Sequence, residues 1–185
     1  MAIMEIRLAR SEDYPKIVRL QQQNTPDQLS VEEKRQGFVV SSMNEQQLAA
    51  INQALGIVVA IDGEQLAGFV CMVPSETQPR HPVVEAMLAS FAQQQFEGEP
   101  LQQLRVFVYG PVCIGKQWRG QGILQKLFSA VKTHARASYD LGAAFIDDRN
   151  PHSLAAHVQG LKMTALAPFS CQQQNYQLVV FPTAA

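Results

Sequence analysis

The stretch from Val106 to Lys132 constrains this chain more than any other, because it sets a strand, a glycine turn and a helix in fixed succession. Val106, Phe107, Val108, Val112, Cys113 and Ile114 make an apolar run that predicts a buried strand ending at Gly115. Apolar residues return at Ile123, Leu124, Leu127, Phe128 and Val131, the spacing of one helix face, with Gln125, Lys126, Ser129 and Lys132 facing away. Between strand and helix stand Arg119, Gly120, Gln121 and Gly122, where a first helical turn leaves its N–H groups unpaired. Those donors and the positive end of the helix dipole favour an anion, and glycines let the backbone approach it. The stretch therefore predicts a phosphate seat. It is not a P-loop, because Gly115-Lys116 is followed by Gln117 rather than Ser or Thr. Nor is it a dinucleotide fingerprint, because Leu124 and Gln125 occupy the place of the third glycine.

The stretch resembles motif A of the GNAT superfamily, the acetyl-CoA-dependent N-acyltransferases: a hydrophobic strand, a short turn, then Arg or Gln, two residues, Gly, one residue, and Gly or Ala. Arg119 takes the leading basic position, Gly122 the first motif glycine and Leu124 the last position, where the pattern has a small residue. A second register, from Gln117 through Gly120 to Gly122, also matches; the Arg119 register places Ile114 five residues ahead, where the family's strand ends. The resemblance implies that the main-chain amides of Arg119, Gly120, Gln121, Gly122, Ile123 and Leu124 hold the CoA pyrophosphate, and that Val112, Cys113 and Ile114 hydrogen-bond the pantetheine and acetyl group. It also implies an α/β fold: a single domain over 1–185 with a mixed, mostly antiparallel central sheet flanked by helices and a cofactor core at 105–161.

The rest of the chain follows in a matching order. Met4–Leu8 alternates as a first strand, and Ser11-Glu12-Asp13 opens a helix carrying Ile17, Val18 and Leu20, which Thr25-Pro26 breaks. Residues 26–55 read as a helical excursion whose second part, Asn44 to Leu55, turns Leu48, Ile51 and Leu55 inward. Ile57–Ile61 and Leu66–Val73 flank Asp62-Gly63 as a hairpin. Residues 74–103 exceed the family's compact form, with Pro82 to Gln95 an inserted helix that pads the sheet or lids the site. Ala143–Asp147 is a further strand, Asn150 to Gly160 a turn entering a short helix, and Tyr176–Phe181 the strand that closes the sheet.

At 185 residues the chain suits one domain, and a formal net charge of −1 supports neither a nucleic-acid nor an anionic-membrane surface. No apolar run approaches a membrane span. Cys71, Cys113 and Cys171 lack metal spacing and read as buried reduced thiols of a cytoplasmic protein. His152 and His157, five apart, lie off a single helix face, so no metal is expected. Trp118 reads as a turn-packing residue.

Acyl transfer to an amine needs an anchored thioester, an oxyanion donor, a neutral amine and a leaving thiolate. By the resemblance, Asn150 bonds the cofactor amide, Ser153 opens onto the same side, and the oxyanion donor is a strand N–H near Ile114. The family's Tyr acid, seven residues past the Asn, is replaced by His157, the candidate acid here. For the base, Tyr109, Asp147, Asp148 and Glu85 are available and spacing selects none of them. The expected activity is acetyl transfer from acetyl-CoA to a primary amine of a small molecule, peptide or protein, by direct attack in a ternary complex. The resemblance leaves room for a homodimer, and the alternative reading is a non-catalytic acyl-CoA sensor or scaffold.

Overall fold

The computed structural model describes residues 4–24, 43–78 and 80–184. The expected break at Thr25-Pro26 and the first part of the helical excursion lie outside these residues. Its seven-stranded sheet runs β1 (Met4–Leu8), β2 (Gly56–Asp62), β3 (Gln65–Pro74), β6 (Val106–Ile114), β7 (Leu141–Asp147), β9 (Gln174–Pro182), β8 (Thr164–Cys171). Only β6 and β7 pair in parallel; every other neighbour is antiparallel. Residues 95–96 (β4) and 99–100 (β5) form a separate small hairpin that sequence reasoning did not foresee.

The central strands read as continuous apolar runs because both of their faces are covered. On one face lies α4 (Ile123–Ala135), which buries Ile123, Leu127, Phe128, Val131 and Ala135 against the sheet. The short α5 (Pro151–Ala155), continued by a wider turn over Ala156–Gly160, packs on the same side. On the other face, α1 (Tyr14–Gln22) and α2 (Glu45–Ala54) cover β2 and β3, while α3 (Pro82–Ser90) covers β7 and β8. Asn44 starts α2 with a reciprocal cap: its side chain accepts from Gln47 N at 2.8 Å, and Gln47 accepts from Asn44 N at 3.0 Å. The fully buried Gln21 clamps both backbone groups of Met43, at 3.0 and 3.1 Å, and so sets where the chain returns to the core.

Three expectations are corrected. Tyr176–Phe181 does not close the sheet: β9 lies inside it, and β8 forms the edge. Pro168 and a half-exposed pattern gave β8 little strand signal, yet an edge tolerates both. The inserted helix ends at Ser90, with one tighter turn to Gln93, and it packs on the sheet. Cys71 and Cys113 are buried, but Cys171, at the end of the edge strand, is only half-buried.

The feature that creates the site is a slip in β6. Phe107 and Tyr109 face α4, while Val106 and Val108 face α3. Beyond Gly110-Pro111, Val112 and Ile114 face α4 again, so the alternation has shifted by one residue, and the register with β3 shifts between Val70 and Met72. Pairing of β6 with β7 stops at Val108 and Ala143. From there the two strands part.

Candidate functional site

Two cavities meet at that parting. The first, of about 310 Å³, lies between the end of β6, the turn into α4, and α5; Val112, Ile114, Gly120, Gly122, Leu124 and Ser153 are among its walls. The second, of about 530 Å³, opens on the opposite face between α2 and the loop into α3, floored by β6 and β7. Val112, Asn150, Ser153 and His157 line both.

The first cavity has the form of an anion seat. Gly120 and Gly122 both sit at φ +77°, a conformation that favours glycine, and a Cβ built on either meets nothing within 4 Å. The space beside them is open to a ligand. Gly122 is the N-cap of α4, and no side chain caps that end. The first helical bond runs from Lys126 N to Gly122 O, so the amides of Ile123, Leu124 and Gln125 lie ahead of the helical ladder. Residues at this turn fit a pyrophosphate.

The edge of β6 is set by alternation. Gly115 N donates to Ala67 O at 2.8 Å and Cys113 pairs with Phe69, so Gly115 and Cys113 direct their backbone groups to β3. Val112 and Ile114 direct theirs the other way, into the parting. Arg119 Nε donates to Ile114 O at 3.1 Å from that side, which agrees, and leaves the Ile114 N–H on the same open edge. The Cys113 side chain points into the opposite core with Phe69 and Ile57, where burial pushes its thiol up to about 12. Cys113 contributes backbone and packing, not a thiolate.

Arg119 does more than lead a motif. Its guanidinium also donates to Asn24 Oδ1 at 3.0 Å, and the buried Asn24 donates in turn to Leu20 O at 2.8 Å. The bracket ties the end of α1 to the end of β6. Asn24 lines the first cavity and carried no signal in the sequence, since an isolated Asn after a helix is ordinary. The Gln121 side chain folds back onto Gln117 O at 3.0 Å. Trp118 packs in the turn as expected, with Nε1 donating to Asp62 at 3.1 Å.

His157 and Tyr109 form a buried pair, each about 3 % exposed. The imidazole Nδ1 lies 2.8 Å from Ser153 O, a carbonyl that can only accept, so Nδ1 carries the proton. Nε2, 3.1 Å from the Tyr109 hydroxyl, is then the acceptor and Tyr109 the donor. Burial lowers the His157 pKa, against the bond to Ser153, and pushes the Tyr109 hydroxyl well above its ordinary value. In this tautomer both ring nitrogens are engaged, Nδ1–H with Ser153 O and Nε2 with the Tyr109 hydroxyl. The one hydroxyl proton of Tyr109 is likewise engaged, donated to Nε2. Edge-to-face contacts with Phe128, Phe181 and His157 hold the Tyr109 ring.

Of the four base candidates, Asp148 and Glu85 line neither cavity; Tyr109 and Asp147 line the second. Asp147 is buried at the end of β7, and its backbone carbonyl accepts from Asn150 N at 2.8 Å, which seats it beside the junction. Among the described residues no cluster of His, Cys, Asp or Glu could hold a metal, and no helix is long and apolar enough to cross a membrane.

No protein-family model matches the sequence, and no curated protein matches it either. Solved structures do match in fold. A GNAT-family acetyltransferase from Streptococcus agalactiae superposes with a TM-score of 0.65 at 12 % identity, covering 98 % of this chain and 96 % of its own. An N-acetyltransferase from Staphylococcus aureus gives 0.64 at 14 % identity, covering 99 % of this chain and all of its own. A Salmonella typhimurium protein, solved with its cofactor acetyl-CoA, gives 0.62 at 14 % identity and covers 98 % of this chain and 94 % of its own. At such identities the likeness is one of architecture: over nearly its whole length, the chain has the mixed, mostly antiparallel fold of the GNAT acetyltransferases.

Proposed function

We propose that this protein transfers an acetyl group from acetyl-CoA to a primary amine by direct attack in a ternary complex. The observation that carries the reading is the junction of two cavities, one on each face of the sheet, at the point where β6 and β7 part. Such a junction lets a donor and an acceptor meet without sharing an entrance, and holding both reactants in place removes much of the entropic barrier.

The roles follow from position. The glycine turn and the amides of Ile123 and Leu124 hold the pyrophosphate, and the exposed edge of β6 from Val112 to Ile114 takes the pantetheine arm, with Asn150 and Ser153 on its other side. Bound acetyl-CoA supplies an activated thioester that a neutral amine displaces, giving an amide and free CoA. The Ile114 N–H is the oxyanion donor, fixed by the strand and needing no reorganisation. Asp147, on the wall of the second cavity, is the candidate base, its carboxylate oriented by Arg149 at 2.7 Å and Gln174 at 3.0 Å. Tyr109 stays protonated because burial disfavours its anion; its hydroxyl donates to His157 Nε2 and turns to the departing sulfur by exchanging that bond.

The test is incubation with acetyl-CoA and a panel of amines, reading free thiol, beside thermal stabilisation by CoA. At 100 times its dissociation constant a ligand adds about 2.7 kcal/mol. Stabilisation with amine-dependent thiol release is expected. Stabilisation without amine-dependent release would instead favour the acyl-CoA sensor or scaffold, and the absence of both would overturn the cofactor assignment.

A further inference from the structure

Resting on that reading, we infer that the acceptor is the α-amine of an extended peptide, read through the open main-chain edge of β7 at Phe145. The alternation of β7 fixes which backbone groups face the parting. Asp148 N donates to Asn175 O at 3.1 Å, on the side of β9, and Leu141 N donates to Arg105 O at 3.2 Å, at the start of β6. Even-numbered residues from 142 to 148 therefore turn their backbone groups to β9, while Ala143, Phe145 and Asp147 turn theirs toward β6.

The ladder to β6 stops one bond short of Phe145. In its last pair, Val108 with Ala143, Tyr109 N donates to Ala143 O; a further pair, Tyr109 with Ala144, needs Phe145 N to reach Tyr109 O, and that pair is not formed. Farther along β6, Pro111 has no N–H to offer the Phe145 carbonyl. The parting thus leaves the Phe145 N–H and C=O without ladder partners, at a residue that lines the second cavity. A backbone donor and acceptor so placed take their partners from whatever fills the cavity. The Phe145 ring, edge-to-face on Tyr176 at 5.7 Å, holds this stretch of strand in position.

A group that exchanges both bonds with Phe145 must itself carry an N–H and a C=O at strand spacing, which is what one residue of an extended peptide offers. A simple amine leaves both Phe145 groups unmet. Direction follows from where the reaction lies. β7 runs from Leu141 toward Asp147 and Asn150, so an antiparallel peptide points its N-terminus at the junction, and a parallel one points it away. With its second residue opposite Phe145, the antiparallel peptide sets its first opposite Ile146 and its amine beside Asp147. The pantetheine arm on the edge of β6 and the peptide on the edge of β7 then face each other across the parting.

The test uses the full chain, acetyl-CoA and three forms of one acceptor: trialanine amide, an analogue with an ester oxygen in place of the second residue's N–H, and one with the ester at the third residue, whose N–H points away from β7. The second-residue ester should lower kcat/KM by about fivefold, the worth of one hydrogen bond, and the third-residue ester by less than about twofold. Propylamine and the side-chain amine of Nα-acetyl-lysine amide should fall about tenfold or more below trialanine amide. Equal losses from the two esters, no loss from the first, or equal turnover of either comparison amine overturns the inference. Calorimetric titration of the CoA-saturated protein separates the two claims. Trialanine amide binding that the second-residue ester weakens, with no thiol release from acetyl-CoA, upholds the acceptor class and sinks acetyl transfer; thiol release with propylamine but not the peptide upholds transfer and overturns the class; neither binding nor release overturns the class. Hydrogen exchange reads the contact itself: the Phe145 N–H should slow when trialanine amide joins the CoA-bound protein, and unchanged exchange in a protein that binds the peptide overturns the pairing.

Discussion

At the scale of single residues, the Tyr109–His157 contact is the one on which the proposed proton donation depends. Tyr109→Phe keeps the ring among Phe128 and Phe181 but removes the donor to Nε2. Leaving a buried acceptor unmet costs about 1–3 kcal/mol, so a lower melting temperature is expected. Turnover should fall roughly ten- to a hundredfold, with acetyl-CoA affinity nearly unchanged, because one proton donor contributes about that much. Steady-state kinetics beside CoA titration checks the split, and equal loss of rate and affinity would make Tyr109 a packing residue only. His157 adds a pH dependence. Its folded pKa lies below the ordinary 6.5, so the unfolded chain binds the extra proton first. The stability due to its neutral form is complete above about 6.5 and is lost as pH falls through the folded value. Tyr109, its titratable neighbour, stays protonated throughout this range. The drop in melting temperature between pH 7.5 and 5.5 should therefore be smaller in His157→Gln than in the parent protein.

At the scale of elements, the turn into α4 and the bracket behind it form the proposed cofactor seat. Gly122→Ala places a methyl in the open space beside φ +77° and also strains the backbone by about 1–2 kcal/mol. CoA affinity should fall at least tenfold while the variant remains folded with a lower melting temperature; an unaltered affinity would move the pyrophosphate elsewhere. Val at this position would confound the two effects, since a β-branched residue at positive φ is a worse outlier. Arg119→Met tests the bracket. It keeps an unbranched stem but deletes the bonds to Ile114 O and Asn24. Loss of stability by a few kcal/mol and weaker CoA binding are expected together, because the turn is positioned from α1 as well as from β6. If stability is retained and binding alone is lost, Arg119 acts on the ligand directly.

At the scale of the whole molecule, the ring of Phe181 fills the space between the sheet and α4 where β6, β7 and β9 run side by side. Phe181 packs edge-to-face on Phe107, Tyr109 and Phe128, and its ring lies directly over Gly142 of β7. A Cβ at Gly142 would collide with that ring. Gly142→Ala should cost about 1–3 kcal/mol by overpacking, and Phe181→Leu in the same chain should recover part of it. Thermal or urea unfolding of the two single variants and the double measures the coupling; strictly additive losses would show that the ring yields freely.

The sequence by itself determined the parts whose signal is local. The strand, glycine turn and helix of residues 106–132, the hairpin at Asp62-Gly63, the helix after Asn44 and the apolar runs of β2, β3 and β7 were legible, because periodicity and turn chemistry act within a few residues. The family pattern added the sheet type and pointed to Asn150, Ser153 and His157. The tertiary structure alone decided that Tyr109 meets His157 across 48 residues, that Asn24 meets Arg119 across 95, and that β8 lies outside β9. It also brought Asp147 and Tyr109, of the four base candidates, to the wall of the second cavity. These outcomes follow from non-local contacts, whose energy depends on strand order and on the one-residue slip at Gly110-Pro111. A slip of one residue reverses which face a side chain occupies, and no window of sequence states it.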